Sequence, residues 1–183
     1  MQSGRFTLAG KKKVEPSDRE WRFLVIDTTE TPIDRPKKSR ESFTVEKKKC
    51  HSIKSQVVTD KVSKVSGLIL MTCFSSGKTS DLRLLQASNL SLSDSVICSG
   101  DSGYQGMHKL FVGSKTPVKK PKKGVLTDAQ KQSNKEQRRE RVCIEHTMRR
   151  LKVFKILSYR YRNHRKRFTL RFNLIAALLN KDL

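Results

Sequence analysis

The chain has 183 residues and carries 40 lysines and arginines against 17 aspartates and glutamates, a formal net charge of +23 at pH 7. A chain of this length is expected to fold as one domain that buries roughly 70% of its unfolded surface. The charge excess favours a polyanionic partner, which is most often nucleic acid, with an anionic membrane surface as the alternative. The longest apolar run is far shorter than the ~20 residues of a membrane span, and the first residues do not resemble a signal peptide. We therefore expect a cytoplasmic protein.

The N-terminal part of the chain predicts a leader, one buried strand and a loop. Residues 1–20 are polar and basic and predict a poorly ordered leader, which leaves 21–183 as the folded domain. The apolar run at 23–26 is typical of a strand that is covered on both faces. Asp27 is expected to end this strand, because residues 28–42 contain two prolines and several arginines and lysines and predict a loop.

The next elements are two strands, a short helix and another strand. Residues 48–59 and 67–74 predict the strands. A helix is expected from Ser80, because a capping residue precedes leucines that are spaced three residues apart. The apolar run at 96–98 predicts a short buried strand that is followed by Asp101.

Helices dominate the C-terminal third. Residues 108–113 could form one more strand, and 114–124 contain five lysines and two prolines and predict a basic surface loop. Thr127 and Gln130 have the spacing of a capping box and predict the start of one long helix of about 30 residues. A last helix is expected at 165–179, where apolar residues recur at helical spacing. The alternation of strands and helices predicts an α/β fold.

Two of the predicted buried strands are each followed by an aspartate. If these strands are neighbours in the sheet, Asp27 and Asp101 project into one cleft, where two like charges raise each other's pKa unless a cation lies between them. Hard cations such as Mg²⁺ take carboxylate oxygens as ligands. The alternative is that both aspartates only form turns.

A third carboxylate is available on the predicted long helix. Arg141, Glu145, Arg149 and Lys152 share one helical face. An acid among three bases on one face can supply a metal ligand between groups that bind phosphates. The alternative is a solvated face held by salt bridges.

Six segments together are similar to a known family. They read VIDTTETPIDRPKK, KKKCHSIKSQVV, GKTSDLRLL, DSGYQG, TPVKKPKKGVLTDAQKQSN and RVCIEHTMRRLKVFKIL. In order and spacing they resemble bacterial insertion-sequence transposases of the DDE class, fifth insertion-sequence family. The resemblance covers residues 21–180.

This resemblance implies a ribonuclease H-like fold, a mixed sheet that is flanked by helices. It implies that Asp27, Asp101 and Glu145 are the catalytic and metal-binding carboxylates, with two Mg²⁺ or Mn²⁺ ions as cofactors. The implied activity is DNA transposition, by phosphodiester cleavage and strand transfer at insertion-sequence ends. The same family implies a homodimer on DNA. It also implies a location in the bacterial cytoplasm, associated with the nucleoid, and no membrane partner.

Basic residues are expected to contact the DNA backbone. Arg141 and Lys152 match an arginine and a lysine that such transposases carry around the glutamate, whereas Arg138 stands where related groups have a tyrosine. The expected DNA-binding residues are Arg35, Lys119, Lys120, Lys122, Lys123, Arg141, Arg149 and Lys152. A second group with the same expected role contains Arg160, Arg162, Arg165, Lys166 and Arg167.

Two alternatives to an active transposase stay open. Family members usually carry an N-terminal helical DNA-binding region, and about twenty residues precede the first strand here. The chain could therefore be an inactive truncated transposase, unless an upstream reading frame supplies that region. The other alternative is a non-catalytic basic nucleic-acid-binding protein, whose binding would be indifferent to metal.

Overall fold

The protein is a mixed β-sheet with helices on both faces, as the sequence predicted. The computed structural model describes residues 22–34, 44–45, 50–61, 67–121, 124–163 and 165–181. The expected leader at 1–20 and the DNA-binding residues Arg35, Lys122 and Lys123 lie outside the described residues. No described helix is long and apolar enough to cross a membrane.

Within the described residues, six strands form the sheet. They are β1 (Phe23–Ile33), β2 (Thr44–Val45), β3 (Cys50–Asp60), β4 (Ile69–Ser76), β5 (Ile97–Ser99) and β6 (Ser114–Lys115). β3 is antiparallel to β1 on one side and to β4 on the other, and β2 pairs with the start of β3. β5 is parallel to β1, and β6 is parallel to β5. Three long antiparallel strands followed by two short parallel ones agree with the expected ribonuclease H-like arrangement.

The first strand is longer than the sequence suggested. The expectation that Asp27 ends the strand and that a loop follows directly is wrong, because β1 continues to Ile33. Threonines at 28, 29 and 31 favour extended backbone, and this segment pairs residue by residue with β3 as far as His51. Pro32 is tolerated because β5 pairs with β1 only as far as Val25, and beyond that point the Pro32 carbonyl, not an N–H, makes the contact by accepting from the Tyr161 N–H at 2.8 Å.

The helices are α1 (Asp81–Ala87), α2 (Asp128–Glu140), α3 (Val142–Val153), α4 (Lys155–Ser158) and α5 (Phe168–Lys181). Ser80 caps α1, and Thr127 and Gln130 form the predicted capping box at the start of α2. α5 confirms the predicted last helix.

The single long helix predicted after Thr127 is wrong. The helix instead ends at Arg141, and a second break follows at Phe154. The backbone of Phe154 is extended. α2 has no buried residue, whereas α3 buries one face that includes Ile144 and Leu151. The break at Arg141 lets α3 pack on the sheet while α2 runs along the surface.

Residues 108–113 do not form a strand either. Two short 3₁₀ turns, Ser102–Tyr104 and Met107–Lys109, follow β5. Gly106 between them has φ = 96°, a conformation that favours glycine. Tyr104 and Met107 are buried, so packing of these two side chains under the sheet edge outweighs the local preference for a strand.

Two apolar cores lie on opposite faces of the sheet. Val25 and Val57 pack with residues of α3 and α5 such as Ile144 and Phe172. The neighbouring strand residues face the other core, which contains Leu85 of α1 and Tyr104. Because side chains alternate along a strand, Asp27 lies on the same face as Val25, the face covered by α3.

Candidate active site

Asp27 and Asp101 come from adjacent parallel strands. In the register of this pair, Val25 lies opposite Ser99, and each aspartate follows its residue of the pair by two positions. The expectation that the two strands are neighbours is confirmed. Asp101 stands at the start of the first 3₁₀ turn, where its Oδ1 accepts a hydrogen bond from the Gly103 backbone N–H at 2.8 Å.

Asp27 is a largely buried carboxylate. Its side chain is 22% exposed, and its Oδ1 lies 3.7 Å from Arg141 Nη2. Oδ1 also accepts a hydrogen bond from the Thr28 backbone N–H at 2.9 Å. Burial raises the pKa of Asp27 to about 6. Arg141 and the Thr28 hydrogen bond lower this pKa, and the charges of Asp101 and Asp81 raise it further.

The burial of Asp27 and the charges around it bear on whether the site suits a divalent cation. One arginine does not offset the burial of Asp27 and the repulsion from its acidic neighbours, since the pKa stays raised. A hard divalent cation between carboxylates relieves both effects. Asp27 and Asp101 therefore fit a metal as two of its ligands.

Arg141 reaches the site because α2 and α3 meet at this residue. Its side chain is 15% exposed. The Nε atom of Arg141, together with Gln137 Oε1 and Glu140 Oε2, is buried without a hydrogen-bond partner among the described residues. Unpaired buried polar atoms are uncommon in proteins, so the α2–α3 junction has unused hydrogen-bonding capacity next to Asp27.

Glu145 lies near these residues in the fold but outside their cluster. It is exposed on the first turn of α3, and its backbone N–H donates to the Arg141 carbonyl at 3.3 Å. Within the described ranges, no three His, Cys, Asp or Glu side chains form a group that could hold a metal ion. The structure thus brings Asp27 and Asp101 together and leaves Glu145 about one helical turn from Arg141.

Asp81 is a site carboxylate that the sequence analysis missed. Its Oδ1 accepts hydrogen bonds from Lys54 Nζ at 2.8 Å and from Thr28 Oγ1 at 3.0 Å. Lys54 is 8% exposed, although it stands in the middle of a strand. A lysine between Ile53 and the apolar pair Val57 and Val58 of a predicted strand is the signal that could have predicted a buried acidic partner.

Tyr104 supports the loop that carries Asp101. It is fully buried, and its hydroxyl donates to Gln56 Oε1 at 3.3 Å. Burial raises the pKa of Tyr104, and the nearby charges of Asp81, Asp27 and Asp101 raise it as well. The phenol therefore stays protonated and acts as a neutral hydrogen-bond donor.

The described residues expected to bind DNA are exposed, apart from Arg141. They are Lys119, Lys120, Arg149 and Lys152, together with the second group Arg160, Arg162, Arg165, Lys166 and Arg167. The lysine segment, residues 116–121 after β6, is held by Asn134 of α2. The sequence analysis also missed this contact. Asn134 Oδ1 accepts from the Val118 N–H at 2.9 Å, and Asn134 Nδ2 donates to the Val118 carbonyl at 3.0 Å.

The lysine segment also contacts the loop that carries Asp101. Gln105 Nε2 donates to the Pro117 carbonyl at 2.7 Å. The candidate DNA-binding segment is therefore tied both to α2 and to the candidate metal site.

Comparison with known proteins identifies the family. A family model described as DDE superfamily endonuclease matches residues 26–180. The chain belongs to this family. The matched DDE segment contains Asp27, Asp101 and Glu145, and the resemblance to insertion-sequence transposases is confirmed at the level of the family.

One relative in this family is the "Probable transposase for insertion sequence element IS702" of Microchaete diplosiphon. The two chains are 40% identical over 183 residues, which is all of this DDE-family chain and 65% of the relative. The chain thus spans about two thirds of the length of this relative. No solved structure matches the chain.

Proposed function

We propose that this chain catalyses DNA transposition by metal-dependent cleavage and strand transfer at the ends of an insertion sequence. The observation that carries the proposal is that Asp27 and Asp101 each follow, by two positions, one of the paired residues Val25 and Ser99 of two adjacent parallel strands. Burial and acidic neighbours raise the pKa of Asp27, so the site favours binding of a divalent cation. Membership of the DDE family supports the same chemistry.

Asp27 and Asp101 would hold Mg²⁺ or Mn²⁺, with two ions as the expected number, and Glu145 would be the third ligand. When bound, such ions activate an attacking oxygen and stabilise the leaving oxygen of a phosphodiester. Glu145 follows Arg141 by one turn, and Arg141 already contacts Asp27. To act as this ligand, Glu145 would move toward the two aspartates through a rearrangement of the α2–α3 junction.

The cationic surface would bind DNA. Lys119, Lys120, Arg149 and Lys152 are exposed and suit phosphate contacts that are independent of base sequence and sensitive to salt. Arg141 would join them at the scissile phosphate once it leaves Asp27. Two DNA ends must be held together for strand transfer, so the proposal includes a homodimer on DNA that acts in the cytoplasm at the nucleoid.

The test is cleavage of DNA that carries a terminal inverted repeat, with Mg²⁺ or Mn²⁺ present and products resolved on a denaturing gel. Asp27→Ala, Asp101→Ala and Glu145→Ala should each abolish cleavage. Asp128→Ala is the control, because Asp128 is a fully exposed aspartate that pairs with Lys131. Cleavage that is undiminished in Asp101→Ala would refute the proposal.

A second candidate is a DNA-binding chain without catalysis, including an inactive transposase remnant. It is favoured by the position of Glu145, because the described residues do not gather three metal-binding side chains. This candidate predicts DNA binding that weakens with salt and does not respond to Mg²⁺. Metal-dependent cleavage by the wild-type protein would exclude it.

A further inference from the structure

Asp81 contacts β1 beside Asp27, the neighbouring strand β3, and the loop that carries Asp101. It is the first residue of α1, yet its carboxylate points back to the sheet. Oδ1 accepts from the hydroxyl of Thr28, the residue directly after Asp27, at 3.0 Å. The same atom forms an ion pair with Lys54 Nζ of β3 at 2.8 Å. One carboxylate oxygen thereby ties α1 to β1 next to Asp27 and to β3.

The other carboxylate oxygen of Asp81 reaches the loop after Asp101. A Cβ atom at Gly103 would lie 2.2 Å from Asp81 Oδ2 and 3.0 Å from Asp101 Oδ1. Asp81 can therefore approach Asp101 only because residue 103 is glycine. The Gly103 N–H is already donated to Asp101, so Asp81 and Asp101 meet at the same glycine.

Lys54 fixes the orientation of this carboxylate. The side chains of Lys54 and Asp81 are 10% and 19% exposed, so their 2.8 Å contact is a largely buried ion pair, and separating the two would leave an uncompensated buried charge. Asp81 is thus anchored on its Oδ1 side and presents its Oδ2 side to the Asp101 loop. Asp81 therefore lies against both the residue after Asp27 and the glycine whose N–H is bonded to Asp101.

We propose that Asp81 is a positioning residue that holds Asp27 and Asp101 at the spacing a divalent cation requires. The inference rests on the proposed function, because it presupposes that these two aspartates bind a metal. Replacing a residue that orients a metal ligand without binding the metal itself typically weakens metal binding by roughly ten- to a hundredfold.

The test measures Mn²⁺ binding by calorimetry in the absence of DNA, on the full chain. Asp81→Asn should weaken binding about ten- to a hundredfold. Asp128→Asn is a matched control, because Asp128 is also the first residue of a helix after a hydroxyl cap and also pairs with a lysine. It loses the same helix-terminus interaction and should bind Mn²⁺ as the wild type does.

A second variant covers the case that Asp81→Asn fails to fold. Gly103→Ala keeps every charge but places a methyl group where Asp81 Oδ2 lies, so it should weaken Mn²⁺ binding too. Thermal unfolding of each variant shows whether it is folded. If either folded variant binds Mn²⁺ as tightly as Asp128→Asn does, the positioning role is refuted.

Mn²⁺ binding also distinguishes a failure of this inference from a failure of the proposed function. If the wild type binds Mn²⁺ and Asp27→Asn abolishes binding, the metal site stands whatever Asp81→Asn does. If the wild type does not bind Mn²⁺, or Asp27→Asn binds it equally well, the proposed metal site fails and the role of Asp81 fails with it.

Discussion

Replacing Asp27 with asparagine should make the folded protein more stable at neutral pH. The pKa of Asp27 is raised from 3.8 to about 6 by burial and by acidic neighbours, which outweigh Arg141 and the Thr28 hydrogen bond. Well below its ordinary pKa of 3.8 the carboxyl is protonated in the folded and unfolded states, so it does not disfavour folding. As the pH rises from about 4 to about 6, the unfolded state ionises while the folded state still holds its proton, so stability falls across this window and levels off above it.

The size of the effect follows from this pKa difference. A shift of roughly two pKa units corresponds to about 3 kcal/mol of unfolding free energy above pH 6, since each unit is worth about 1.4 kcal/mol. The side chain is 22% exposed, and solvent relaxation reduces the difference to about 1–2 kcal/mol. Asparagine keeps an acceptor for the Thr28 N–H and lacks the charge.

Urea unfolding at pH ~3, below the unfolded pKa of 3.8, and at neutral pH provides the assay. Asp27→Asn and wild type should have similar unfolding free energies at the lower pH, and the variant should gain about 1–2 kcal/mol at neutral pH. Asp128→Asn should show no such gain, because Asp128 is exposed. A variant that is less stable than wild type at neutral pH, or a difference that does not change with pH, would refute the reasoning.

Two further predictions concern the basic segment and the core. Asn134→Ala removes both hydrogen bonds to Val118 and should weaken DNA binding roughly three- to tenfold in an electrophoretic shift assay. Gln132→Ala on the exposed side of α2 should not, and equal losses in the two would contradict a role in holding the segment. Phe172→Ala, in the fully buried cluster between α5 and the sheet, should lower the unfolding free energy by about 3–5 kcal/mol. Leu178→Ala, at an exposed position of the same helix, should lower it far less in the same urea experiment.

Local signals in the sequence predicted the helix starts and the apolar strand segments that precede Asp27 and Asp101. A capping hydroxyl followed by a hydrogen-bonding residue acts within one turn, so Thr127 and Gln130 could be read directly. The apolar runs before Asp27 and Asp101 were short and continuous, as buried parallel strands are. These features depend on neighbours in the chain, and the structure confirms them.

Features that depend on distant partners were not predictable from local patterns. β1 extends beyond Asp27 because β3 pairs with it as far as His51. Residues 28–33 alone do not indicate that β3 is their partner. The helix break at Arg141 reflects packing of α3 on the sheet, since the sequence there has no proline or glycine. The contacts of Asp81 were missed for the same reason, because Lys54 and Gly103 lie 27 residues before it and 22 residues after it.

The most direct test of the central claim is to locate Mn²⁺ by anomalous diffraction in crystals of the protein with inverted-repeat DNA. The account predicts Mn²⁺ between the carboxylates of Asp27 and Asp101, with Glu145 drawn in as a third ligand and Arg141 moved from Asp27 to a phosphate. Mn²⁺ bound elsewhere, with Asp27 still paired to Arg141 and Glu145 still in solvent, would contradict it.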